Sequence, residues 1–319
     1  MSAIDVFNGD ADGICALTQL RKAAPEDSLL VTGVKRDIAL LDKVNARPGD
    51  CVTVLDISLD KNRAGLRKVL AQGAAVFYVD HHFAGEIPES DRLETHIDTA
   101  SDVCTSILVD RYLGGRFVLW AVTGAFGDNL DASARALARP LGLSGQELES
   151  LANLGTYVNY NGYGASLADL HFAPADLFER ARPYASPFDF VADDRETFEK
   201  LESGYHQDMA SARAVKPTRE SERSAVYLLP DESWARRVSG VFSNRLANGA
   251  PARGHAVLTE RSDGTYLVSV RAPLENKVGA DELCRRFPTG GGREAAAGIN
   301  HLPADRLDDF IAQFAAFYG

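Results

Sequence analysis

The sequence predicts an α/β protein in two parts: a parallel-sheet domain flanked by helices, then a smaller α/β domain. Three observations carry that expectation. Short apolar runs alternate with helix-patterned segments through residues 3–79, as right-handed βαβ units require. A strongly charged stretch over 187–222 then separates this region from a second compact alternation. Finally, 319 residues with 45% hydrophobic content favour two cores over one. The expected division is a catalytic domain over 1–188, a helical connector and linker over 189–222, and a second domain over 223–319.

Taken in order, residues 3–7 read as a strand, and Ile14, Leu17 and Leu20 mark one face of the helix that follows. Residues 28–33 and 51–55 read as the second and third strands. A helix is expected over 60–71 through Leu66, Val69 and Leu70, and further strands over 74–79 and 93–97. From there to about residue 185 the pattern is mostly helical. The second domain reads as strand 224–229, helix 234–247, strands 255–260 and 265–270, helix 280–286 and strand 295–300. Asp263-Gly264 between two apolar runs signals a hairpin. The final segment, 303–318, is an amphipathic helix through Leu307, Phe310, Ile311, Phe314 and Phe317.

Bulk charge narrows the possible partners. The net charge is −11, whereas a protein gripping a long nucleic-acid tract is usually basic, because phosphate neutralisation supplies most of that affinity. Phosphate recognition is therefore expected to be local, by a few arginines and a metal. Four scattered cysteines without a CxxC pair argue for a reducing compartment and against structural zinc. No apolar run approaches the ~18–20 residues that span a bilayer, and the first residues lack a basic leader. These features predict a cytoplasmic protein without membrane partners.

Chemistry concentrates at predicted strand ends. The first strand runs into Asn8-Gly9-Asp10-Ala11-Asp12-Gly13, the third into Asp56 and the fourth into Asp80-His81-His82. Ligands of open α/β sheets bind outside the carboxyl ends of the strands. Four aspartates and two histidines at one edge repel unless a cation sits among them, and oxygen-rich sites with imidazoles favour Mn2+ or Mg2+. Asp128, after the apolar run ending in Gly127, adds a further acid. An Asp-x-Asp-Gly turn or a lone Asp56 also suits ordinary turn and cap positions; the ordered set is what points to metal.

These residues resemble the DHH phosphoesterase superfamily, which includes RecJ-type exonucleases and the smaller nanoRNase-type enzymes. Asp10-Ala11-Asp12-Gly13, Asp56, Asp80-His81-His82 and Asp128 resemble its four motifs. Gly290-Gly291-Gly292, with Ala295-Ala296-Ala297-Gly298, resembles the glycine motif of the DHH-associated C-terminal domain; Val268-Ser269-Val270-Arg271 resembles the strand before it. The resemblance implies two divalent ions, Mn2+ first, with Mg2+ or Co2+ as alternatives. Asp10, Asp56 and Asp128 would hold one; Asp12, Asp56 and His81 the other, with Asp56 bridging. It implies that Asp56 and His82 take part in catalysis, that His82 contacts the scissile phosphate, and that Asp80 orients the histidines. Arg271, Gly290, Gly291, Gly292 and Arg293 would bind substrate, with the active site in a cleft between the domains. The expected substrate is a nucleotide or a short single-stranded oligonucleotide.

Two positions depart from the pattern. Asn8 stands where many members have an acid or histidine, and offers at best a weak, uncharged ligand. Arg293 replaces a histidine after the glycines, near Arg285-Arg286, itself equally readable as a solvated helix end. Outside the resemblance, Gly290–Gly292 reads as a flexible loop. The polar aromatic cluster Tyr157, Asn159, Tyr160, Asn161 and Tyr163 suits helix packing or base stacking. The leading expectation is hydrolysis of phosphomonoesters or phosphodiesters. The alternatives are a phosphoanhydride hydrolase of the pyrophosphatase or exopolyphosphatase type, and a non-catalytic nucleotide-binding module.

Overall fold

The computed structural model describes residues 2–319, and the chain divides into two compact units, Met1–Ser203 and Gly204–Gly319. In the first unit, β1 (Ala3–Phe7), β2 (Ser28–Val31), β3 (Cys51–Leu55), β4 (Ala75–Asp80) and β5 (Leu93–Ile97) form one parallel sheet in the order β2-β1-β3-β4-β5. The sequence pattern locates all five; β2 stops at Val31, two residues before the expected end. Helices α1 (Ala11–Ala23) and α2 (Leu59–Ala71) make the first crossovers. The remaining helices are α3 (Thr105–Tyr112), α4 (Val118–Gly127), α5 (Asp131–Ala138), α6 (Gly145–Gly162), α7 (Pro174–Ala181), α8 (Pro187–Asp193) and α9 (Arg195–Ala214). The charged stretch thus folds largely as α8 and α9, and the unit boundary falls inside α9.

Alternation within the central strands sorts side chains onto two faces. Ile4, Val6, Val52, Val54, Val76 and Tyr78 share one core with Leu59, Leu66 and Val69 of α2. Each such fully buried aliphatic side chain contributes roughly 1.5–3 kcal/mol. On the opposite face Asp5, wholly buried in β1, receives Arg21 Nε of α1 at 2.7 Å and Ser28 Oγ at 2.6 Å. That pair fixes α1 against the sheet, and removing one partner would strand a buried charge.

Glycines set how closely the helices meet. A Cβ on Gly127 would lie 2.3 Å from Ala11 Cβ, and one on Gly155 only 2.2 Å from the Thr123 carbonyl oxygen. Close backbone approach at these two positions brings the end of α4 against the start of α1 and the middle of α6. The start of α6 is fixed by a capping box, Ser144 Oγ accepting from Glu147 N at 3.2 Å and Glu147 Oε2 from Ser144 N at 2.8 Å.

The second unit holds β6 (Arg219–Glu220), β7 (Ser224–Leu229), α10 (Ser233–Gly249), β8 (Gly254–Glu260), β9 (Thr265–Arg271), α11 (Ala280–Cys284), β10 (Gly290–Arg293), β11 (Ala296–Pro303) and α12 (Leu307–Tyr318). Its mixed sheet has the order β10-β11-β9-β8-β7-β6, with β7 and β8 parallel and the other pairs antiparallel. Phe310 and Phe314 of α12 pack into its core beside Val268, Val270 and Ile299. The Asp263-Gly264 hairpin forms as expected, with Gly264 at φ +77° and Asp263 accepting from Thr265 N at 3.0 Å. Three elements differ from expectation: Arg219–Glu220 is a short strand instead of linker, the last helix starts at Leu307 because β11 runs on to Pro303, and Gly290–Arg293 is an edge strand paired with β11, not a loop. Close approach explains the glycine at its start, since a Cβ on Gly290 would lie 1.8 Å from the Cys284 carbonyl oxygen.

Candidate metal centre

The order β2-β1-β3-β4-β5 reverses direction at β1, so crossovers leave β1 and β3 on opposite sides and open a crevice between their carboxyl ends. The acids emerge there. β1 leads through Asn8 to Asp10, the N-cap of α1, whose side chain accepts from Gly13 N at 3.1 Å. Asp12 follows in the first turn. Asp56 directly follows β3, β4 ends on Asp80 with His81 and His82 beyond it, and Asp128 caps the C-terminus of α4.

Each group is held by neighbours that fix its direction. Both Asp12 oxygens accept backbone hydrogen bonds at the start of α3, from Thr105 N and Ser106 N, each at 2.7 Å. Asp56 accepts from Thr105 Oγ1 at 3.2 Å. His81 Nδ1 lies 3.0 Å from the Val103 carbonyl oxygen, which makes Nδ1 the protonated nitrogen and leaves the Nε2 lone pair free. That Nε2 lies 3.4 Å from Asp56 Oδ1 and 3.8 Å from Asp128 Oδ2. Such spacings suit donors around one ion with bonds near ~2.1 Å. His82 Nδ1 lies 2.7 Å from Asp80 Oδ1, and Asp80 is wholly buried, so Asp80 faces His82.

Among the described residues, two donor sets bring their ligand atoms within 4.8 Å of one another: Asp56, His81 and His82, and Asp12, His81 and Asp128. Asp10 belongs to neither; its Oδ2 lies 2.6 Å from Lys35 Nζ. Asn8 is also spoken for: its amide nitrogen donates to the Lys35 carbonyl at 3.4 Å, while its Oδ1 is buried without a partner.

Electrostatics show what the centre lacks. Burial, and then the charges of Asp10, Asp12, Asp128 and Asp80, hold the Asp56 carboxyl well above the usual carboxylate range. Burial raises Asp128 as well, against the pull of Lys35. Burial would also raise Asp10, but Lys35 outweighs it and leaves the group below its ordinary value. Like charges ~4 Å apart repel by about 4 kcal/mol at an effective dielectric near 20. The centre is therefore short of positive charge, and a divalent cation among Asp12, Asp56, His81 and Asp128 would relieve it. The donor set, oxygen with one imidazole, fits Mn2+ or Mg2+. His82 behaves differently: burial works against its charge, yet the Asp80 carboxylate outweighs burial and lifts it above the ordinary histidine value.

Among the described residues, three other than glycine adopt positive φ: Asp56 at +59°, Asn129 at +61° and Thr289 at +63°. Each stands at or beside a candidate site residue, and local strain of this kind gathers at functional positions.

In the second unit, the register Arg271↔Ala296↔Arg293 sets both candidate arginines in one row across β9, β11 and β10. Arg271 Nε donates to Asn244 Oδ1 at 2.7 Å, while Arg293 is exposed at the sheet edge. Gly290 and Gly291 are partly covered and Gly292 is exposed, at φ +141°. Other histidines have partners of their own: His171 bonds Tyr160 Oη at 2.9 Å, and His301 lies 3.7 Å from Asp263. The polar aromatic cluster divides by role. Asn161 clamps the backbone of 171–172, whereas Asn159 Oδ1 accepts from Lys35 Nζ at 2.9 Å.

Lys35 is the participant that sequence reasoning missed. It follows β2, which pairs parallel with β1 and so delivers its carboxyl end to the same edge as Asp10. That adjacency was available in the alternation pattern, but a lysine in a polar loop otherwise reads as solvated.

No family model matches the sequence, and no curated protein matches it. Solved structures do match in fold. The crystal structure of exonuclease RecJ bound to manganese is similar with a TM-score of 0.65 at 19% identity, covering 99% of this chain and 89% of that one. The DHH domain of a member of the s1p family of ribosomal proteins gives 0.69 at 12% identity, covering 99% and 86%. A pGpG-specific phosphodiesterase from Vibrio cholerae gives 0.54 at 13% identity, covering 99% of each chain. With its five-stranded parallel sheet, flanking helices and second mixed-sheet unit, the chain shares the fold of the RecJ and DHH-domain structures.

Proposed function

We propose that the protein is a metal-dependent phosphoesterase acting on phosphomonoesters or phosphodiesters of nucleotides or short oligonucleotides. The observation that carries this reading is a charge-deficient centre with two donor sets that share His81, namely Asp56, His81 and His82, and Asp12, His81 and Asp128, the His81 Nε2 lying 3.4 Å from Asp56 and 3.8 Å from Asp128. Asp12, Asp56, His81 and Asp128 would hold the cation. A divalent ion, when bound, lowers the pKa of a water and neutralises charge on a reacting phosphate. Beside it, the Asp80 carboxylate orients His82 and favours its protonated form, which suits His82 to give a proton to the leaving oxygen or a hydrogen bond to the phosphate. Arg271 and Arg293, in one row of the second sheet, suit phosphate contact, with the Gly290–Gly292 backbone able to approach an anion closely. The fold shared with RecJ and a pGpG phosphodiesterase sets the order of substrates to try.

The test is hydrolysis with Mn2+ of pGpG, other dinucleotides, a 3′,5′-nucleoside bisphosphate and pyrophosphate. Turnover of at least one nucleotide ester is expected, lost by ~10³-fold or more in His81→Ala. Turnover of pyrophosphate alone would move the protein to the phosphoanhydride class. Tight binding without turnover of any substrate would make it a binding module.

A further inference from the structure

Lys35 occupies the centre as a cation does. Its Nζ lies 2.6 Å from Asp10 Oδ2, 2.9 Å from Asn159 Oδ1 and 3.6 Å from Asp128 Oδ1, and 5.3 Å from the centroid of the Tyr163 ring. Two of these oxygens stand within hydrogen-bond reach of the ammonium, and the Asp128 carboxylate adds a longer ion pair. The side chain is 20% exposed, and its backbone is fixed at both ends: Lys35 N donates to the Gly162 carbonyl at 2.8 Å, and the Lys35 carbonyl accepts from Asn8. The residue is therefore built into the centre rather than laid across it. Gly162 permits this, since a Cβ there would lie 2.9 Å from the Gly9 carbonyl oxygen and 3.2 Å from Asp10 Cα.

The remaining donors fall into two overlapping sets, Asp56, His81 and His82, and Asp12, His81 and Asp128. Both donor sets within 4.8 Å contain His81. Its Nδ1 is committed to the Val103 carbonyl, which leaves one free lone pair on Nε2. An imidazole lone pair serves a single ion, whereas a carboxylate can bridge two. Asp128 has the bridging geometry: Oδ1 faces Lys35 at 3.6 Å and Oδ2 faces His81 Nε2 at 3.8 Å.

We propose that Lys35 permanently fills one of the two cation positions, so that the centre takes a single exchangeable divalent ion at Asp12, Asp56, His81 and Asp128. This rests on the phosphoesterase reading for its metal, and replaces the pair of ions expected from the resemblance. Asp10 then anchors Lys35 instead of binding metal, and Asp128 links the fixed charge to the exchangeable one. An ammonium carries one charge and cannot activate water as an ion does, so it positions and neutralises only.

The experiment is a metal count on the full chain. Metal-free protein is equilibrated with Mn2+, freed of excess ion and analysed by elemental mass spectrometry, with Mn2+ electron paramagnetic resonance on the same samples. Wild type is expected to hold one Mn2+ per chain with the hyperfine pattern of an isolated ion. Lys35→Ala, which opens the position between Asp10 and Asp128, is expected to hold two and to show spin coupling. Two ions in wild type would overturn the proposal while leaving the phosphoesterase reading intact. One ion in both proteins would equally overturn it, because Lys35 would then not be what excludes the second. No ion in wild type would remove the metal-dependent reading and this one together. Should Lys35→Ala fail to fold, the wild-type count still tests the proposal: one ion supports it and two overturn it.

Discussion

Asp56 meets two opposed demands with one side chain. Its backbone is left-handed at φ +59°, a conformation Asp and Asn tolerate better than alanine does, and its carboxyl is crowded by four other acids. Folded Asp56 binds its proton more tightly than the unfolded chain does. The stability it lends the metal-free protein is thus fully present below the ordinary carboxylate value of 3.8 and lost as pH rises through the raised folded value. Asp56→Asn keeps the turn and removes the charge. Metal-free Asp56→Asn should therefore melt a few °C above metal-free wild type at pH 8, with a flatter pH dependence. Mn2+ at about 100 times its Kd should stabilise wild type by about 2.7 kcal/mol and the variant by much less. Thermal melts of both proteins with and without Mn2+ check this. A lower melting temperature for the metal-free variant, or an undiminished gain from Mn2+, would contradict the account of the centre as short of positive charge.

At the scale of elements, the sequence was most legible where burial is periodic. β1, β3 and β5 fall on their expected residues because short runs rich in apolar residues, continuous in β1 and alternating in β5, declare strands, and the acids after β1, β3 and β4 inherit their common edge from that order. What escaped was contact between elements. Nothing in the spacing around Lys35 says that α6 presents Asn159 and Gly162 to it. The Gly290–Arg293 strand was hidden because glycine scores as loop, yet pairing with β11 satisfies its backbone. The α4–α6 crossing depends on such a contact. Alanine is favoured over glycine within a helix by up to about 1 kcal/mol, so Gly155→Ala would stabilise α6 in isolation. In the protein the new Cβ meets the Thr123 carbonyl oxygen at 2.2 Å and Gly127 N at 2.9 Å, both backbone atoms of α4. A net loss of about 1–3 kcal/mol is expected in denaturant unfolding. Because α4 ends on Asp128, Mn2+ affinity should fall with it. Gly145→Ala in the first turn of α6, where a Cβ meets nothing within 4 Å, serves as the control and should change stability by less than about 0.5 kcal/mol. A stabilised Gly155→Ala would show that α4 and α6 are not in close backbone contact.

At the scale of the whole molecule, 45 acidic residues against 34 basic ones leave a charge of −11, with the acids of the metal centre among them. Among the described residues no helix is long and apolar enough to cross a membrane. On the phosphoesterase reading, the cation and His82 would offset a substrate phosphate at the centre, while each further phosphate of a longer strand would be repelled by a net charge of its own sign. The range of that repulsion is ~30 Å at 0.01 M salt and ~10 Å at 0.1 M. The phosphoesterase reading therefore carries a specific expectation. At ~0.01 M salt, kcat/KM should fall as the oligonucleotide lengthens from a dinucleotide to about 20 nucleotides, and the fall should flatten as salt rises to ~0.15 M. A nuclease that grips strands with lysine and arginine shows the opposite dependence, losing affinity for long substrates as salt is added. Rates on a length series at two salt concentrations, with Mn2+ held saturating, separate the two. A preference for the longest strand at low salt would mean that a basic track outweighs the net charge, and would return the protein to the class of processive strand-binding nucleases.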